Sequence, residues 1–122
     1  MTMTKKSQII IAGICGLTAV AFGAFGTHTL KSVIDSSTLE TFKTGVLYHL
    51  IHSVVLLVLA LSKIQCFTKA YLFIFIGIIL FSFSLYLYSL TLTIVFVFVT
   101  PFGGMSFIIG WLLIIYSAIK EL

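Results

Sequence analysis

From Ala70 through Val99 the chain runs for about 30 residues without a charged side chain, and no other stretch restricts its folding so much. A soluble domain places about a quarter of its residues in charged form, whereas here 8% are charged and 61% hydrophobic. Lipid is therefore the solvent, and in lipid a chain that is not a closed barrel must satisfy its backbone as helix. A single helix of this length would measure ~45 Å against a hydrocarbon core of ~30 Å. The run must break. Thr91-Leu92-Thr93 interrupts it, and Thr100-Pro101 supplies a cap followed by proline at the first helical position, where its missing amide does no harm. The pattern predicts a third span at about 70–90 and a fourth at about 101–119, with 91–99 lying in the interface or folded back on the helices.

Upstream, Lys5 and Lys6 precede an apolar run from Ile9 to about Phe25. Ile14 stands before Cys15 where a lipoprotein cleavage site needs a small residue, and the run continues past Cys15, so it is read as a retained first span, 8–26. Ala12, Gly16, Ala19, Gly23 and Gly26 recur within it at spacings of four and three, a stripe against which another backbone can pack closely. The polar stretch from Thr27 to Ser36 reads as a loop. Ser37-Thr38-Leu39-Glu40 has the form of a capping box, which starts a helix near residue 38 whose membrane portion is 44–62. Glu40 and Lys43 then stand in water in its first turns. Thr68 is placed as the cap of the third span. Gly103, Ser106 and Gly110 give the fourth span its own small-residue stripe.

With ~20 residues per span, the 122 residues make one domain, an all-α membrane protein built as a four-transmembrane-helix bundle. Lys5, Lys6, Lys63, Lys69 and Lys120 against Lys31 and Lys43 favour both termini inside. The seven lysines are scattered, whereas nucleic-acid binding needs a basic face, so no nucleic-acid partner is expected. Cys15 and Cys66 form neither a CxxC pair nor a zinc spacing, and on this topology Cys66 faces a reducing compartment that disfavours a disulfide. The expected partners are membrane lipid and a second copy of the chain.

Tyr48-His49-Leu50-Ile51-His52 places two imidazoles in an otherwise apolar span, where ionisable groups mark a site or a buried polar network. Gly45, His49, His52 and Leu56, with Ser53 beside them, share one helix face, which should meet protein. The topology puts His28 at the outer end of the first span, near the outer halves that carry His49 and His52. With Tyr48 and the Ser82 and Tyr86 stripe of the third span, they are the candidate ligand or proton-binding residues. Two readings follow: hydrogen bonding between helices, or a carrier or binding protein for a small molecule or protons. Metal or haem is the third, but a His-x-x-His pair gives only two ligands and the spans hold no carboxylate to complete a set, so no metal site and no cofactor is assigned. Trp111, near mid-membrane, needs an acceptor for its indole N–H, for which a serine or a backbone carbonyl is expected. Ser53, Ser82 and Ser84 lack a base and carboxylate chain. No catalytic residue is assigned and the chain is expected not to be an enzyme.

Gly23-Ala24-Phe25-Gly26-Thr27-His28, Thr41-Phe42-Lys43-Thr44-Gly45-Val46-Leu47-Tyr48 running into His52, Phe81-Ser82-Phe83-Ser84-Leu85-Tyr86, Thr100-Pro101-Phe102-Gly103-Gly104 and Gly110-Trp111 together resemble the small bacterial inner-membrane family of YgdD and YwdK. The motifs run in order through all four spans. The resemblance implies a multi-pass protein of the bacterial cytoplasmic membrane and brings no activity or cofactor, since the family is a domain of unknown function. It also implies that His49 stands where relatives carry an amide side chain, and that Thr27, Thr29 and Phe83 replace small residues. On that basis His28 with His52 is the stronger pair. The expectation is a non-enzymatic structural or accessory membrane protein, with the carrier or binding protein as its rival.

Overall fold

Four long helices account for most of the chain in the computed structural model, which describes residues 3–63 and 67–122. They are α1 (Lys5–Leu30), α2 (Ser36–Leu61), α3 (Thr68–Thr91) and α4 (Val95–Glu121), each long and apolar enough to cross a membrane. Cys66 and the centre of the α2–α3 loop lie outside the described residues.

Four helix ends differ from the sequence expectation. α1 continues through the polar residues Thr27–Leu30, because a hydroxyl or imidazole at a helix end standing in water gives no reason to stop. The cap of α2 is Asp35 and not Ser37: its carboxylate Oδ1 accepts the Thr38 amide at 2.7 Å. An ionised acceptor two residues earlier outcompetes the hydroxyl of the expected box, and a negative charge at a helix N-terminus is favourable. Thr68 is the first helical residue of α3 and not its cap, a position held by Phe67.

The largest difference is in α4. It begins at Val95, so Pro101 sits inside the helix and the break between α3 and α4 shrinks to Leu92-Thr93-Ile94. Leu92 makes the turn in the left-handed region, φ 56°. Pro101 removes the amide that would bond the Val97 carbonyl. Spanning helices tolerate such an interruption when side chains and neighbouring helices support the turn; here Thr100 Oγ1 donates to Phe96 O, the carbonyl next to the freed one, at 3.0 Å while lying 2.6 Å from Ser84 Oγ of α3. Thr100 therefore ties α4 to α3 from within a helix.

α1 packs along α2, α3 packs along both α2 and α4, and the chain doubles back at every loop. The core between them gathers Ala12 and Cys15 of α1, Leu56 and Ala60 of α2, Tyr71 and Ile74 of α3 and Phe107 of α4. Ile74, Ile78, Ser82 and Tyr86 of α3 are all buried, although positions four apart drift by about 40° per step on a regular α-helix. A π-helical turn at Ile78–Ser82 absorbs the drift. A second one, Phe22–Gly26 in α1, turns Phe22 towards α2 and α3.

Glycine is required where helix axes come closest. A methyl group at Gly103 would collide with the backbone of Leu80 and Phe81, and at Gly45 with the Tyr86 ring. Gly23 and Gly26 abut Val46 and Phe42 of α2. Gly16 behaves otherwise: although on the predicted stripe, it has open space where a side chain would stand. Ala12 and Ala19 are buried on the α2 face, as are Ser106 and Gly110 on the face of α4 that meets α3.

Candidate functional site

His49 and His52 lie near the midpoint of α2 on its buried face, with residue exposures of 0% and 5%, so both face protein and not lipid. Each ring has partners on both nitrogens, and the partners fix the tautomers. Thr18 Oγ1 lies within 2.9 Å of Ile14 O and 3.0 Å of Cys15 O. Its single proton goes to these carbonyls, so towards His49 Nε2, 3.2 Å away, the hydroxyl accepts. His49 Nε2 therefore carries the hydrogen, and Nδ1 accepts from the Tyr86 hydroxyl at 2.9 Å. The result is a chain of three helices joined through one imidazole: α3 donates to α2, and α2 donates to α1.

His52 takes the opposite form. Its Nδ1 is 2.8 Å from the Tyr48 carbonyl, which can only accept, so Nδ1 carries the hydrogen. Nε2 then accepts from Trp111 Nε1 at 3.1 Å. The expected serine or carbonyl acceptor for Trp111 is thus an imidazole, and the bond joins α4 to α2. Phe107 stacks on the His52 ring at 3.8 Å between centroids, with Tyr48 parallel to the ring at 5.9 Å. Phe22, Phe83 and Tyr86 surround His49 at 5.4 to 6.2 Å. The two rings belong to separate networks, that of His49 reaching α1 and α3 and that of His52 reaching α4.

His28 is not in this layer. It is exposed near the end of α1, where Gly26 abuts Phe42, about ten residues and therefore roughly 15 Å along the α2 axis from His52. The pair favoured by the family resemblance is not brought together. Tyr48 is half exposed to the outside of the bundle and meets His52 only through its ring face and carbonyl. Tyr86 is buried with its hydroxyl engaged by His49. Ser82 is fully buried on the same stripe, and its Oγ has no partner among the described residues. No group of three His, Cys, Asp or Glu side chains with metal-binding geometry occurs among the described residues.

Sequence reasoning missed Thr18 and the ring stack of Phe107. Thr18 was findable: it is the one hydroxyl in the middle of the first span, and beside Ala19 it borders the α2 face. Two further polar side chains also join helices. Tyr71 donates to Gln8 O at 2.7 Å and Ser106 to Phe73 O at 2.7 Å.

A family model described as "Protein of unknown function (DUF423)" matches residues 22–104, from the π-helical turn of α1 to the glycines of α4 that abut α3. The chain belongs to this family. It is 43% identical over 122 residues to YwdK, a UPF0382 membrane protein of Bacillus subtilis, with 96% of this chain and 99% of the relative covered. It is 36% identical to YgdD, a UPF0382 inner membrane protein of Escherichia coli K12, covering 97% and 93%. A UPF0382 membrane protein of Haemophilus influenzae is 34% identical over 120 residues. No solved structure matches. With four membrane-length helices, this member of the UPF0382 family is a multi-pass protein of the bacterial cell membrane.

Proposed function

We propose that this protein is a non-enzymatic structural or accessory component of the cytoplasmic membrane, in which both buried histidines serve helix association. One observation carries the reading. All four ring nitrogens of His49 and His52 are engaged by groups of the chain itself, in opposite tautomers that leave no free donor or acceptor. A proton carrier needs a ring that can change its charge and face a path. Protonating His52 would aim an Nε2–H at the Trp111 N–H, donor against donor, and break the α2–α4 link. Neither imidazole lines the grooves at the bundle ends or along α1.

The lysine balance supports placing both termini on the cytoplasmic side: five lysines lie at the end shared by the termini and two at the other.

The test is nitrogen NMR of the imidazoles in detergent, with melting of His28→Gln, His49→Gln and His52→Gln. The expected result is hydrogen on Nε2 of His49 and on Nδ1 of His52, lower melting temperatures for the two buried variants, and no change for His28→Gln. Protonation of His49 or His52 between about pH 5 and 8, the range natural to free imidazole, would overturn the reading. So would a coloured or metal-loaded protein whose signal disappears with either variant.

A further inference from the structure

At the lysine-rich end, the last turns of α4 and the first turn of α3 enclose a groove of about 310 Å³, lined by Thr68, Lys69, Leu113, Tyr116, Lys120 and Glu121. We infer that this groove is a binding site for an anionic phospholipid, its phosphate held between Lys69 and Lys120 and an acyl chain lying along Leu113 and Tyr116.

Neither cation forms an ion pair among the described residues. Among the described residues the ion pair is Lys43 with Glu40, at the far end, and Glu121 on the rim of the groove forms none. Lys120 Nζ instead lies 5.8 Å from the centre of the Tyr116 ring, so its apolar stem follows the groove wall and its ammonium stays at the mouth, as long cationic side chains do at a bilayer surface. Leu113, Tyr116 and Lys120 recur at spacings of three and four on one face of α4. That face is cationic at its outer edge and apolar about 10 Å deeper, since seven residues separate Leu113 from Lys120.

This order of chemistry chooses the occupant. A free phosphate ion would use the lysines and leave the apolar floor empty. A phospholipid matches both, because its phosphate stands at the interface and its chains run inward. Basic pockets between helices at the membrane surface are known to hold anionic headgroups. Nothing in the argument involves the histidines, so it stands or falls apart from the structural reading above.

The experiment is native mass spectrometry of the detergent-purified full chain, mixed with phosphatidylglycerol or phosphatidylcholine of identical acyl chains, with and without inorganic phosphate. Wild type should retain phosphatidylglycerol over phosphatidylcholine. K69Q/K120Q should weaken that retention roughly 25-fold, about fivefold for each lysine. K69R/K120R should keep it, and K31Q/K43Q, which removes the same charge from the other end, should leave it unchanged. Melting without lipid confirms that each variant is folded, and a variant that is not folded is replaced by the corresponding single substitution. Equal retention of the two lipids, equal loss in both glutamine pairs, or displacement of the lipid by millimolar inorganic phosphate would each overturn the proposal.

Discussion

Among the glycines, Gly103 has the least yielding neighbour, and the reason is what it meets. A methyl group there would run into the peptide backbone of Leu80 and Phe81, which has no rotamer to change, so α4 would have to move off α3. At Gly77 the obstruction is the Phe107 ring, a side chain that can turn. Gly103→Ala should therefore destabilise by about 1–3 kcal/mol, the range for overpacking a close-packed site. Gly16→Ala, with open space around it, should be neutral or stabilising by up to about 1 kcal/mol from helix propensity. Unfolding of the two variants in mixed detergent checks this, and equal effects would refute the packing account. Both glycines looked equivalent in the sequence, because spacing places a residue on a face and says nothing of how near the neighbouring backbone comes. The histidines were legible in the same limited way: the pattern put them on a buried face, while their partners Thr18, Tyr86 and Trp111 sit in other helices and at separations that no periodicity encodes.

The ends of α2 and α4 divide along similar lines. Charge-free length located all four helices, but the caps depend on local competition. At α2 the Asp35 carboxylate wins over Ser37, and its bonds to the Thr38 amide and side chain hold its pKa below the usual carboxylate value. A lowered folded pKa stabilises above the unfolded value and is lost as pH falls through the folded one. The contribution of this cap should thus be complete at neutral pH and fade only below about pH 4. In hydrogen exchange, Asp35→Ala should speed exchange of the first-turn amides of α2 at pH 7, whereas Asp35→Asn, which keeps an acceptor, should change them little. If both variants match wild type, Ser37 caps this helix after all. At α4 the proline that looked like a start signal lies seven residues in. Proline suits a first turn and is equally tolerated inside a spanning helix when a hydroxyl such as Thr100 holds the loosened turn, so its position was ambiguous in principle.

The bundle as a whole has chemically unequal ends, and we propose that this asymmetry sets its orientation in the membrane. Lys5, Lys6, Lys63, Lys69 and Lys120 share the end with both termini, while Lys31 and Lys43 stand at the other together with Asp35 and Glu40. The loops are short enough for lysine counts to dominate orientation, and acids weigh little. A reporter that works only outside the cytoplasm should be silent when fused to either terminus of wild type and active when inserted between Lys31 and Asp35. The same reasoning makes a stronger demand. Replacing Lys5, Lys6, Lys63 and Lys69 by glutamine leaves one lysine at the termini's end against two at the other, so the excess changes sign and the population should become mixed or inverted. Because the packing surfaces of α1 to α4 are indifferent to which side faces the cytoplasm, an inverted bundle should still form the His49 and His52 bonds and melt like wild type. If four substitutions leave the reporter pattern unchanged, orientation is set by something other than lysine balance. If inversion occurs but the melting temperature collapses, the bundle depends on its surroundings in a way that the internal hydrogen bonds do not explain.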